Sequence, residues 1–194
     1  MDSSLFIKGI TKKRRNVKPE LFNGKRLDNE IVRELLEVAN WAPTHKRTEP
    51  WRFIVYEYEK TKDFGVLHSN VYKEHTPADK FLIKKYNKIL NRADNASHVI
   101  VAYVHPDANS TIPLQEEIAA AACAVQNMLL LATAYEIASY WGSGGMCYHP
   151  AMNEALGIDS NDVILGWIFL GRTDDFDKLR PIRNTPIDNK VRWV

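Results

Sequence analysis

Apolar residues recur along this chain with two periods, and the switches between them mark its elements. Leu5, Phe6 and Ile10 fall on one side of a helix that starts near Ser4. A second helix starts at Asp28, a residue suited to N-capping, with Ile31, Leu35, Leu36 and Val38 as its buried stripe. Pro43 disfavours helical geometry in the residue before it, so this helix stops around Trp41. Alternation then predicts a strand over residues 52–58. Residues 60–95 are dense in lysine and read as one or two exposed helices, with Thr76-Pro77 as a start signal. The continuous apolar run 99–104 predicts a buried strand, and a long helix follows over 113–137. Residues 139–145 read as an aromatic and glycine turn, 152–156 as a short helix, and 163–170 as a last strand closed by Gly171.

The order of elements shows no regular βαβ repetition, which points to the α+β class. No repeat, low-complexity tract or linker divides the 194 residues, so 1–194 is expected to form a single domain. The stretch 118–134 is apolar on nearly every side, interrupted by Gln126 and Asn127. It falls short of the roughly 20 apolar residues of a membrane span and reads as a buried helix, part of whose cover comes from a second subunit. The tail 180–194 is polar but carries Val191 and Trp193, and is expected to dock on a partner subunit.

Charge and composition exclude more than they assign. A formal net charge of +2 implies no polyanion partner, and no nucleic-acid motif accompanies the basic run at Lys12–Arg15. Cys123 and Cys147 make neither a disulfide framework nor a zinc site. The opening residues lack the order of a secretory signal, so the expected location is the cytoplasm. His45, His68, His75, His98, His105 and His149 form no HxxxH or HExxH pattern, and no metal is expected. GxGxxG and the P-loop are absent, Ser143 lacks a GxSxG setting, and Cys123 lies in an alanine-rich helix. Glu116 and Glu117 suit the start of a helix and read as structural. No catalytic acid, base or nucleophile emerges.

Three segments are left with chemistry to offer. The run from Lys12 to Lys18 is either a solvated helix end or a grip in which Arg14 and Lys18 hold a phosphate beside Asn16. The loop within residues 41–53 places His45, Lys46 and Arg47 between two regular elements, where scaffolds position ligand-binding groups. The glycines of 142–145 permit a sharp turn, or else let backbone amides approach a planar ring with Trp141 as a wall and Ser143 as a donor.

In their order along the chain these segments resemble the landmarks of the nitroreductase superfamily of flavin enzymes, particularly its short bacterial members. Arg14-Arg15-Asn16-Val17-Lys18 is similar to the family's RRS-like element and the basic position after it. Residues 41–53, WAPTHKRTEPWRF, resemble RAPxHKxxQPWxF, and Glu117 to Met128 matches ExxxAxCAVxxM. Trp141-Gly142-Ser143-Gly144 matches W-x-S-G, residues 166–171 resemble G-x-x-x-L-G, and the tail ends in V-x-W. Asn16 stands where Ser is usual, Trp41 where Arg is common, Glu49 for Gln, and Gly142 where relatives can carry Arg.

The resemblance implies a nitroreductase-like fold, a central, mostly antiparallel sheet flanked by helices, in an intertwined homodimer with FMN at the subunit interface. It implies that Arg14, Arg15 and Asn16 contact the FMN phosphate and ribityl chain, with Lys18 a lesser addition. Trp41 and His45 would lie near the flavin, and Trp141, Gly142 and Ser143 would close the pocket from the other side. The implied activity is ping-pong transfer of electrons from NAD(P)H to an electron-poor acceptor, nitroaromatic- or quinone-like. Another reduced-FMN chemistry on the same scaffold, or a non-catalytic flavin-binding module, stays open at this point.

Overall fold

Strand β2 (His98–Val104) is covered on both faces, and its alternating side chains divide the interior in two. The computed structural model describes residues 2–107 and 111–194, with Asp177 given by its backbone alone. The other strands are β1 (Trp51–Glu57), β3 (Ala138–Gly142) and β4 (Val163–Gly171). All pairings are antiparallel, in the order β1-β2-β4-β3. Ile100, Ala102 and Val104 face one way, against helices α2 (Asn29–Ala39) and α5 (Leu114–Ala134). Val99 and Val101 face the other way, toward α3 (Lys60–His75) and α6 (Pro150–Leu156). This is the period of two that a strand imposes, here with both faces buried, and the architecture is α+β as expected.

Helix α2 begins as read: the Asp28 carboxylate accepts from the Glu30 backbone N–H. Its fully buried stripe is Val32, Leu35 and Ala39, rotated from the expected one, and Val38 is exposed. Val32, Leu35 and Ala39 follow a spacing of three and four, which lets the small Ala39 bring α2 close to α5. Helix α5 is long and apolar enough to cross a membrane on those two criteria alone, beyond what the reading allowed it. Yet Ala124, Met128 and Ala132 are fully buried among the sheet and α2, as in the core helix of a folded domain.

Three readings need correction. Residues 139–142 are strand, not turn: Tyr140 and Trp141 pair with Phe169 and Ile168, because aromatic residues suit a pleated, half-buried surface. Thr76 is the extended residue that ends α3, and the next helix, α4, spans Ile83–Leu90, so Thr76-Pro77 starts nothing. Helix α3 is also not merely a surface element, since Phe64, Val71 and Tyr72 are buried. Its lysines, Lys60, Lys62 and Lys73, flank that apolar face and mask it in the sequence. By contrast α1 (Ser3–Lys13) buries nothing, and Leu5, Phe6 and Ile7 are 64%, 51% and 61% exposed.

Gly65 sets the approach of α3 to the end of α4, because a Cβ there would collide with the Leu90 carbonyl oxygen. Replacing glycine by alanine within a helix ordinarily stabilises it by up to about 1 kcal/mol. The backbone clash outweighs this, and Gly65→Ala is expected to destabilise the fold by about 1–3 kcal/mol in chemical denaturation.

Candidate functional site

The residues singled out by sequence fall into two groups. The first gathers beside β3. After α1 ends, the chain runs along that strand, and the Val17 N–H donates to the Ser139 carbonyl at 2.8 Å. Asn16 faces Trp141, its Nδ2 donating to the Trp141 carbonyl at 3.4 Å, and the Arg14 guanidinium reaches Asn16 Oδ1 at 3.4 Å. Arg14, Asn16, Trp141 and Gly142 are thus brought together, with Ser143 exposed just beyond.

Arg15 turns elsewhere. Its Nη2 donates to the Phe176 carbonyl at 2.6 Å, and its guanidinium lies 4.6 Å from the Phe176 ring centroid, which ties the segment to the turn after β4. Arg14 carries a different signature. Partial burial, and then the charge of Arg183, push its guanidinium below its ordinary pKa. Arg14 pairs with no carboxylate among the described residues. A half-buried cation repelled by another positive charge is stabilised by an anion placed beside it.

A bulge in β4 shapes the wall of this group. The register between β2 and β4 shifts at Ala102/Tyr103, and Gly166 adopts φ 141°. A Cβ at Gly166 would stand 2.5 Å from the Gly142 carbonyl oxygen and 2.8 Å from Trp141 Nε1. Only glycine permits both the backbone and the approach. The Trp141 indole is fixed there by donating to the Leu165 carbonyl at 3.2 Å.

The second group sits at the corner leading into β1. Trp41 is 80% exposed, and its indole N–H reaches Glu37 at 3.3 Å. His45 Nδ1 is 2.7 Å from Glu116 Oε2 at the start of α5, so Glu116 orients this ring as well as suiting its helix. Lys46, Arg47 and Glu49 all have positive φ, at 49°, 57° and 45°. Thr44 steadies this backbone: its hydroxyl accepts from the Glu49 N–H at 3.2 Å and meets the Thr48 hydroxyl at 3.0 Å. Non-glycine residues in the left-handed region cluster where surrounding structure holds a site in place.

One chain does not unite the two groups. They lie toward opposite edges of the sheet, with β2 and β4 between, a lateral separation of about 14 Å at the usual strand spacing. Among the described residues no three His, Cys, Asp or Glu side chains are arranged to hold a metal. Burial pushes the Cys147 thiol up to about 12, which removes it as a nucleophile. Sequence reading passed over Arg183, hidden in a polar tail, and Arg92, hidden in the lysine-rich segment; only the fold reveals their neighbours.

His68 supports the turn that follows β3. Its Nε2 accepts from the Met146 N–H at 3.1 Å, and Gly145, with φ 76°, has no Cβ to strike the ring. Burial, then the charges of Arg92 and Lys85, push the imidazole down from 6.5 to about 4. The unfolded chain therefore binds a proton that the folded one refuses between those values, and stability falls as pH drops through that window. The contribution is at most about 3 kcal/mol. His68→Gln, which keeps an acceptor, is expected to flatten the dependence of urea midpoint on pH between 6.5 and 4.

Comparison with known proteins bears on the family and the fold. Residues 11–172 match the model of the Nitroreductase family. YdjA of Escherichia coli strain K12, provisionally named an NAD(P)H nitroreductase, is 30% identical over 142 residues, covering 73% of this chain and 75% of its own. The crystal structure of a nitroreductase-like family protein from Bacillus cereus superposes with a TM-score of 0.80 at 29% identity, covering 97% of this chain and 95% of that one. The FMN-dependent nitroreductase NfnB from Mycobacterium smegmatis, solved with NADPH, shares the fold with a TM-score of 0.78 at 18% identity, over 100% of both chains.

Proposed function

The chain belongs to the nitroreductase family, and from that premise we propose that it is an FMN-dependent oxidoreductase that passes electrons from NAD(P)H to an electron-poor acceptor, nitroaromatic- or quinone-like. The observation that carries the reading is the half-buried Arg14 guanidinium against Asn16, a cation with no carboxylate beside it among the described residues. The donor set fits FMN: a planar guanidinium for phosphate, an amide for hydroxyls, and aromatic walls for a flat ring. When bound, FMN supplies the redox chemistry, accepting hydride from NAD(P)H and passing electrons on in a second half-reaction.

The chain's own residues bind, orient and exclude water. Arg14 would hold the phosphate, with Asn16 on the ribityl chain and Lys18 in a lesser role, while Arg15, expected from the family resemblance to join that grip, instead braces the segment through Phe176. Trp141 forms a wall, and the backbone at Gly142 and Ser143 offers donors to negative charge developing on the ring. Trp41 and His45 close the opposite side. Donor and acceptor use the same space in turn, a ping-pong order that needs no protein acid or nucleophile.

The separation of the two groups within one chain supports a homodimer in which each site takes one group from each subunit. The exposed apolar face of α1 supports the same assembly: with α5 it borders a groove of about 210 Å³ lined by Phe6, Ile7, Ile10, Leu130 and Leu131. So does the tail, whose Trp193 is 91% exposed. The partners of this reading are a second copy of the chain and a small-molecule acceptor, not nucleic acid or membrane, and a cytoplasmic setting is consistent with it.

Purified protein should show a flavin absorbance spectrum that bleaches on anaerobic addition of NADH or NADPH, the effective one identifying the donor. Bound flavin left oxidised by both would end the reductase reading. Arg14→Ala should weaken FMN retention by about ten- to a hundredfold in equilibrium dialysis, the scale of one lost charged hydrogen bond. Unchanged retention would remove the phosphate assignment.

A further inference from the structure

Beside the turn that follows β3 lies a cavity of about 90 Å³. It is lined by His68, Arg92, Tyr140, Gly142, Gly144 and Gly145, among others. We propose that this cavity binds a small monovalent anion of halide or nitrite size, with Arg92 as its cation.

Arg92 lies against two aromatic rings. Its guanidinium carbon stands 4.9 Å from the Tyr140 ring centroid and 5.8 Å from that of Phe169. Cation–ring contacts draw on the charge of the guanidinium without using its N–H donors. Its Nε is buried and meets no acceptor among the described residues, and no carboxylate there forms an ion pair with it. A buried donor on a charged group is costly to leave unmatched, which favours an acceptor bearing negative charge.

The walls define the size and the charge. Side chains at Gly142 or Gly145 would collide with Tyr140 or His68, so the glycines keep the chamber open. Its volume is far below the roughly 300–1,000 Å³ of sites for organic ligands, which rules out the nicotinamide and the acceptor as occupants. His68 is neutral near pH 7 and directs Nε2 at the Met146 N–H, so it adds no second positive charge. One cation in a small chamber matches one monovalent anion. The cavity shares Gly142 with the proposed flavin pocket, but its cation, Arg92, is none of the residues assigned to phosphate binding.

Crystals of the wild-type protein soaked in bromide and measured at the bromine absorption edge should show an anomalous peak within hydrogen-bond reach of Arg92 Nε. The peak should vanish in Arg92→Met, which keeps the aliphatic stem over the rings, and weaken in Arg92→Lys, which keeps the charge without the Nε donor. In solution, the excess broadening of the chloride-35 resonance by wild-type protein should fall at least about tenfold in Arg92→Met, equivalent to about 1.4 kcal/mol of anion affinity. No peak in the wild type, or a peak unchanged in Arg92→Met, would overturn the proposal. Because the readouts need no flavin, they separate its failure from failure of the reductase reading.

Discussion

The close approach of Trp141 to β4 is the constraint from which the rest of the site follows. It is possible because Gly166 has no side chain and sits in a bulge that turns the Leu165 carbonyl toward the indole. With Trp141 fixed, its backbone presents a carbonyl to Asn16, and the stretch from Arg14 to Val17 is laid along β3. Arg15 then anchors the other end of that stretch at Phe176. The cations that we assign to a phosphate are therefore positioned by the sheet and not by their own flexible stems, and any residue other than glycine at 166 would displace several partners at once.

A second constraint acts on the opposite edge. The loop before β1 holds three residues at positive φ without a glycine, a strain that costs of order 1–3 kcal/mol for each. Thr44 and the His45–Glu116 pair offset part of it by supplying bonds to backbone and side chain. Such expenditure on an exposed corner fits the proposed role of Trp41 and His45 as half of a site completed by another copy.

Much of this was legible from the residues because periodicity and local chemistry report on near neighbours. The Asp28 cap, the doubly buried strand β2 and the long helix α5 all follow from spacing, and the order of short motifs led to the family. What escaped depends on distant partners. Tyr140 and Trp141 look like a turn beside four residues that include three glycines, until Phe169 and Ile168 pair with them. The stripe of α2 rotated because α5 supplies small alanines for it to meet. Arg183 and Arg92 carry no local mark at all; what sets them apart is which charges and rings the fold places against them.

The bond from Val17 to Ser139 also has a meaning for the chain before it assembles. It shields the outer side of β3, whereas β1 is the outermost strand at the other end of the sheet. Unsheltered strand margins recruit other chains into unintended sheets, and alternating apolar residues such as Val55, 38% exposed, strengthen that tendency. Aggregation of a solitary, newly made copy is thus directed to one side of the molecule.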